Sequence, residues 1–296
     1  MPVLTVENIY KNYGNVQALK DVSFSVPQGS VFGILGPNGS GKTTLLGIIM
    51  DVLKATKGTF KLFDNDPAAE QRKQIGTLLE TPNFYHYLSA QKNLEIAAAI
   101  KGVSTADIPR VLEIVNLTLR KDSAFSTYSL GMKQRLAIAS CLLGDPRVMV
   151  FDEPTNGLDP VGIAEIRELI KKLYQNGKTI IMASHLLDEV EKVCTHVAIL
   201  KKGVLITTGN VNEILASEDV VELAADDNEK LLILVKSLPG YSNVKFDNNL
   251  VYLKAGAANI NLAEINRQCF ENGVVLNHLQ LKKKSLEAKF FELTNN

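Results

Sequence analysis

Gly36-Pro37-Asn38-Gly39-Ser40-Gly41-Lys42-Thr43 constrains the fold of this chain more than any other stretch. It fits the pattern G-x-x-x-x-G-K-[ST], and its flanks have the character that the pattern requires. Val31 to Leu35 is continuously apolar and reads as a buried strand. Thr44 to Met50, with Leu45, Leu46, Ile48 and Ile49, reads as a helix. Strand, glycine loop and helix in that order form an α/β unit whose loop cradles phosphate. The glycines let the backbone curl so that successive N–H groups face one anion, and the helix N-terminus adds partial positive charge. In such a loop Lys42 reaches the β- and γ-phosphates and the Thr43 hydroxyl ligates Mg²⁺. A Gly-rich turn before an ordinary helix would need neither the lysine nor this order of elements.

The rest of the chain extends that unit. Val3 to Asn8, Val22 to Val26 and Thr59 to Phe63 read as strands. From Ser89 to Leu143 the pattern is helical, with candidates at Gln91 to Ile100, Ile108 to Leu117 and Leu130 to Leu143. Val148 to Phe151 is an apolar run suited to a strand buried on both faces. Val161 to Gln175 is amphipathic; Asp159 suits its N-cap and Pro160 its first position. Thr179 to Met182 and Val197 to Leu200 are further strands. Strands alternating with helices imply an α/β fold with a largely parallel sheet and an inserted helical block at about residues 84–145. The first domain is expected to span 1–216. Beyond it, Ser217 to Glu229 is rich in Asp and Glu and reads as a hinge, with a strand candidate at Val220 to Leu223. A helix (Asn228 to Leu238), two strands around Asp247-Asn248-Asn249, a helix (Asn261 to Glu271), a strand (Val274 to Leu281) and a last helix (Ser285 to Leu293) imply a small α+β accessory domain over 217–296.

Composition excludes several classes. A formal net charge of zero gives no bulk attraction to nucleic acid. No apolar run reaches the ~20 residues of a membrane helix, and Met1 to Tyr10 lack the apolar core of a secretory signal. Cys141, Cys194 and Cys269 lie far apart without metal-ligand spacing and read as reduced, mostly buried thiols. His86, His196 and His278 have no partners at ligand spacing, and Lys282-Lys283-Lys284 reads as a solvated face.

Val148-Met149-Val150-Phe151-Asp152-Glu153 ends an apolar strand in two carboxylates. Phosphoryl transfer needs a carboxylate near Mg²⁺ and a group that orients or deprotonates the attacking water. Asp152 suits the first role and Glu153 the second. By itself such a strand end is common; downstream of the glycine loop it gains meaning.

With these motifs in this order, Val3 to Ala216 resembles the ATP-binding subunit of ABC transporters. The resemblance implies a P-loop NTPase core with a mixed, largely parallel sheet, an antiparallel β subdomain and the inserted helical subdomain. It implies ATP and Mg²⁺ as ligands of Gly36 to Thr44 (Gly36, Pro37, Asn38, Gly39, Ser40, Gly41, Lys42, Thr43 and Thr44). Tyr128-Ser129-Leu130-Gly131-Met132-Lys133-Gln134 stands where the family carries Leu-Ser-Gly-Gly-Gln. It departs at Leu130 and Met132 but keeps Ser129 and Gly131, which in the family hold the phosphate of ATP bound on a facing subunit. A plain Ser N-cap is the alternative for this segment. Asn156-Gly157-Leu158-Asp159 resembles the loop that communicates across the dimer. His185 resembles the histidine that contacts the γ-phosphate, and Tyr13, with Tyr10 nearby, resembles the aromatic under adenine. Glu80 stands where the family has Gln near Mg²⁺; Glu accepts hydrogen bonds but cannot donate them. Together with the signature form and the C-terminal appendage, Glu80 is similar to bacitracin- and lantibiotic-export or self-immunity ATPases.

The resemblance further implies an ATPase that powers a membrane transporter, an exporter of peptide antibiotics, drugs or related compounds. A separate transmembrane permease subunit, a homodimer or heterodimer of ATP-binding subunits and a position on the cytoplasmic face of the cell membrane go with it. ATP would close the dimer and hydrolysis reopen it. The alternative is a soluble ABC-type ATPase without a membrane partner; relatives of that kind carry two cassettes or a long coiled coil, and neither is visible here.

Overall fold

The computed structural model describes residues 1–79, 83–216, 220–237, 241–255, 261–282 and 286–294. The chain divides into two compact units, Met1–Gly209 and Asn210–Asn296. In chain order the first contains β1 (Pro2–Tyr13), β2 (Val16–Pro27), β3 (Val31–Leu35), α1 (Lys42–Ile49), β4 (Lys57–Leu62), α2 (Ala69–Arg72), β5 (Ile75–Leu78), α3 (Ala90–Lys101), α4 (Ile108–Ile114), α5 (Leu130–Leu142), β6 (Val148–Asp152), α6 (Pro160–Gln175), β7 (Thr179–Ser184), α7 (Leu187–Glu191), β8 (His196–Lys201) and β9 (Val204–Asn210).

Two sheets organise this unit. One has three strands in the order β2-β1-β4, paired antiparallel. The other has six in the order β5-β6-β7-β3-β8-β9, and β5·β6, β6·β7, β7·β3 and β3·β8 are all parallel. Every residue of β3, β6 and β7 is buried, as a sheet covered on both faces demands. One core joins both sheets through α1: Leu4, Val6, Ile9, Leu19 and Val22 pack with Leu45, Leu46, Ile48 and Ile49 and with Phe32, Ile34 and Val150. Phe24 stacks on Phe32 with ring centroids 5.3 Å apart. The helix after the glycine loop is thus clamped between two sheets, so its N-terminus cannot drift.

The helical block is held by local caps and ties that go beyond the helix candidates read from the sequence. Ser89 caps α3 by accepting from Lys92 N–H at 3.2 Å, and Gly102 ends it in a left-handed conformation. Asn93, 2% exposed, ties the helix to the preceding loop through Tyr85 N–H and the Tyr85 and Leu88 carbonyls. Asp107 accepts two hydrogen bonds from Arg110, whose guanidinium holds its carboxyl below the ordinary carboxylate range. Strand β5 is absent from the sequence reading: it is four residues long and contains Gly76, whose Cβ would collide with the Cys141 carbonyl. Burial pushes the Cys141 thiol up to about 12, and raises Cys194 and Cys269 as well, so the three buried cysteines are neutral structural thiols.

The second unit contains α8 (Val211–Ala216), β10 (Val220–Ala225), α9 (Asn228–Lys236), β11 (Tyr241–Asp247), β12 (Leu250–Ala255), α10 (Leu262–Glu271), β13 (Leu276–Lys282) and α11 (Leu286–Thr294). Its four strands are antiparallel in the order β11-β12-β10-β13. From β10 to β13 this is a βαββαβ, ferredoxin-like arrangement. Its core joins Val221, Leu223, Val251 and Leu253 of the sheet to Leu231 and Val235 of α9 and Ile265 and Cys269 of α10. The acidic stretch read as a hinge is, over its described part, the inner strand β10 and the cap of α9. Glu222 does not loosen the strand because it is buried against Lys282 Nζ at 2.9 Å, and Asp227 caps α9 by accepting from Lys230 N–H. The strand expected at Val220 to Leu223 extends to Ala225, and Val221, Leu223 and Ala225 face the core in a period-two pattern.

Candidate functional site

The site lies at the carboxyl ends of three neighbouring parallel strands, β6, β7 and β3, where open α/β sheets place ligands. After β3 comes the glycine loop. Gly39 and Gly41 have φ of +79° and +106°, which L side chains rarely adopt. A Cβ on Gly41 would stand 2.7 Å from Leu19 Cδ2 and 2.8 Å from the Ala18 carbonyl, so the hairpin of β1 and β2 presses directly on the loop. A Cβ on Gly36 would collide with the Leu200 carbonyl and Ser40 Oγ. Pro37, Asn38 and Gly39 are exposed, whereas Ser40 is 2% exposed.

Helix α1 begins at Lys42 without a side-chain cap and without an acidic residue in its first turn. The first N–H groups of any helix lack intrahelical acceptors. In α5 and α6 such groups are met by Ser129 and Asp159; in α1 they are left to an external anion. Ser40 Oγ is also buried without a hydrogen-bond partner. Thr43 is exposed and Thr44 half-buried on this first turn. The loop therefore fits a phosphate group: it has the curl, the uncapped N–H groups and a cation.

That cation is Lys42. Its side chain is 6% exposed and its Nζ lies 3.4 Å from Glu153 Oε1; it donates to the Gly36 carbonyl at 2.8 Å and the Pro37 carbonyl at 3.4 Å. Asp152, 5% exposed, is the last residue of β6. Glu153 follows with φ +48°, a left-handed conformation uncommon outside glycine, and its N–H donates to the Ala183 carbonyl of β7 at 3.0 Å. Its other oxygen, Oε2, is 2.8 Å from His185 Nδ1 and accepts from His185 N–H at 3.4 Å. Lys42, Glu153 and His185, far apart in sequence, thus form one connected group on three strand ends. Backbone strain at functional positions of this kind persists only where the surroundings over-determine it.

Tyr13 ends β1 opposite Val16, in the hairpin that presses on Gly41; its side chain is 46% exposed. Ser129 caps α5 by accepting from Met132 N–H at 3.3 Å. Gly131 neighbours Gly162 in the first turn of α6, and Leu130 neighbours Gly157, so the signature segment adjoins the Asn156–Asp159 loop. Asp159 accepts from Gly162 N–H at 2.9 Å. Among the described residues no hydrogen bond or ion pair joins the start of α5 to the glycine loop. Glu80 lies outside the described residues. Sequence reasoning missed two links: the direct contacts of Glu153 with Lys42 and His185, and the buttressing of Gly41 by Ala18 and Leu19. The pairing β3·β7·β6 that creates the first is long-range and leaves no local signal.

A protein-family model described as ABC transporter matches residues 19–156. The chain is 38% identical to the uncharacterized ABC transporter ATP-binding protein YhcH of Bacillus subtilis, covering 99% of this chain and 96% of that one. It is 33% identical to the bacitracin transport ATP-binding protein BcrA of Enterococcus faecalis over 98% of this chain and 96% of that one. The lantibiotic transport ATP-binding protein SrtF of Streptococcus pyogenes is 36% identical, covering 75% of this chain and 95% of that one. Among solved structures, the ADP conformation of the ATP-binding cassette MJ1267 aligns with a TM-score of 0.66 at 29% identity, over 72% of this chain and 92% of that one. The dimeric post-hydrolysis cassette MJ0796, bound to ADP and Pi, aligns with a TM-score of 0.62 at 27% identity, over 70% of this chain and 98% of that one. Subunits of this kind bind nucleotide, dimerise and work with membrane permeases. Near full-length identity and a phosphate-fitting loop beside a carboxylate-bearing strand agree: the chain belongs to the ABC transporter ATP-binding family and is an ATP-hydrolysing subunit that powers a membrane transporter.

Proposed function

We propose that this chain binds MgATP at Gly36 to Thr44, closes on a second ATP-binding subunit through Ser129 and Gly131, and drives export of a peptide antibiotic or a related compound. The observation that carries the reading is the group Lys42–Glu153–His185, with Glu153 Oε1 3.4 Å from the lysine and Oε2 2.8 Å from the histidine. In this reading Glu153 accepts a proton from the attacking water, and its contacts with Lys42 and His185 support that role. Lys42 and the first N–H groups of α1 hold phosphate oxygens, His185 orients Glu153 and meets the γ-phosphate, and Tyr13 stacks on the base. Thr43 and Asp152 are the metal ligands in this reading, with Glu80 as a further candidate from sequence. Mg²⁺, when bound, neutralises charge building on the β- and γ-phosphates. Mg²⁺ takes most of its ligands from phosphate and water, so one hydroxyl and one carboxylate of the chain are enough to hold it here.

The start of α5 supports the sandwich. Ser129 is exposed at the N-terminus of α5, where a helix favours phosphate, and among the described residues no hydrogen bond or ion pair ties it to the chain's own glycine loop. Asp159, in the adjoining loop, relays contact across the dimer. MgATP is expected to convert the hydrolysis-deficient Glu153→Gln chain from monomer to dimer in size-exclusion chromatography. Ser129→Arg, which fills the phosphate site with a bulky cation, is expected to abolish that shift. A dimer unaffected by Ser129→Arg removes the signature from the interface.

Among the described residues no helix is long and apolar enough to cross a membrane. The bacitracin and lantibiotic transport relatives support a transport path in a separate permease subunit, with this chain on the cytoplasmic face. A cavity of about 500 Å³ in the helical block, lined by Phe84, Tyr85, Ile96, Ile100 and Lys101, suits a helix of that subunit. Ile100 is exposed on its lining, and the exposed Tyr87 packs edge-on against Tyr85. The cargo reading comes from the bacitracin and lantibiotic transport relatives. Coexpressed with its permease in a sensitive host, the chain is expected to raise tolerance to bacitracin or a lantibiotic; unchanged tolerance to both overturns the cargo class.

A further inference from the structure

We propose that Lys11 is a positioning residue for the adenine base, acting through Tyr13. The inference rests on the reading of Tyr13 as the base-stacking residue. Lys11 and Tyr13 are two residues apart on β1 and so share one face of the strand. Lys11 Nζ stands 4.9 Å from the centroid of the Tyr13 ring and donates to the Lys54 carbonyl at 2.7 Å. The segment holding that carbonyl is itself anchored. Val52 and Leu53 N–H both donate to the Gly47 carbonyl of α1, at 2.9 and 3.0 Å. On its other side Thr56 N–H donates to the Tyr10 carbonyl at 2.8 Å, and Thr56 Oγ1 accepts from Asn12 N–H at 3.0 Å. The ammonium is therefore fixed to the same helix that starts at Lys42.

Three consequences follow. The cation covers one face of a ring that is 46% exposed, and thereby directs a flat ligand to the opposite face. It also restrains a surface side chain that would otherwise lose rotamer freedom on binding, and it draws π density toward itself, which lowers the repulsion met by a base stacked opposite. Lys11 does this without touching the nucleotide, so its effect is confined to ligands that carry a base.

The test is equilibrium binding of ATP and of inorganic tripolyphosphate, which has no base, to the full chain and its variants. Lys11→Met keeps the aliphatic stem and removes the charge; it is expected to weaken ATP about three- to fivefold and leave tripolyphosphate unchanged. Lys11→Arg retains a cation over the ring and is expected to stay within about twofold of the parent. In Tyr13→Ala, adding Lys11→Met is expected to cost nothing more, because the two residues act as one unit. Equal weakening of ATP and tripolyphosphate, or additive losses in the double variant, would assign Lys11 to the phosphates or the fold and overturn the proposal. If Tyr13→Ala weakens ATP and Lys11→Met does not, only the role of Lys11 falls. If Tyr13→Ala itself leaves ATP affinity unchanged, the base-stacking reading falls first and the proposal with it.

Discussion

Glu153→Gln is expected to lower steady-state ATP turnover by about 10²–10⁴-fold while nucleotide affinity is kept or improved. The substitution is nearly isosteric, so the backbone at φ +48° and its bond to the Ala183 carbonyl should survive. What it removes is a proton acceptor and a negative charge. Without the carboxylate, water at the γ-phosphate loses the proton acceptor that this reading assigns to Glu153. Lys42, which stands 3.4 Å from Glu153 Oε1, is released from an ion pair and is freer to serve phosphate. Removing an anion next to an anionic substrate also reduces repulsion. Phosphate release measured beside equilibrium ATP binding separates the two quantities. Turnover within about threefold of the parent, less than the contribution of any general base, would take Glu153 out of the chemistry.

Lys42→Ala is expected to produce the opposite defect, an ATP affinity lowered by about 10–150-fold, the range of one charge-assisted hydrogen bond. Lys42 is buried, with its Nζ on the Gly36 carbonyl and Glu153, so its cost of desolvation is already met in the folded chain. Its removal takes a preorganised cation from the phosphates and leaves Glu153 facing them uncompensated. AMP, which lacks the β- and γ-phosphates, should bind the variant as it binds the parent, and that comparison distinguishes a lost phosphate contact from a collapsed loop. Lys42→Met, which fills the same volume, should behave like Ala if charge is the cause. Equal losses for ATP and AMP would mean that the lysine supports the fold and not the phosphates.

Local signals carried much of this reading. The cap at Asp159, and the cap that was the alternative reading of Ser129, could be anticipated because a Ser or Asp before an apolar-periodic run favours that use, and each does accept from a first-turn N–H. Strands β3 and β6 were legible as continuous apolar runs, since both faces of the sheet are covered. Strand β5 was not, because four residues with a central Gly76 lack a period long enough to read. In the second unit the strand over Val220 to Leu223 was legible, but what lets Glu222 be buried in it was not: its charge is met by Lys282, sixty residues away, and no local window contains both.

The amino-acid sequence by itself determined the phosphate loop, the strand that ends in Asp152 and Glu153, the alternation of strands and helices, and through these the family. Each depends on residue type and on spacing within a few positions, which is where backbone conformational preference and helix or strand periodicity act. The tertiary structure alone decided which of these residues meet. The strand order β6-β7-β3 brings Lys42, Glu153 and His185 within hydrogen-bond reach, and the hairpin that buttresses Gly41 brings Lys11 over Tyr13. Such meetings arise from burying apolar surface shared by distant segments, a global balance that no stretch of the chain expresses alone.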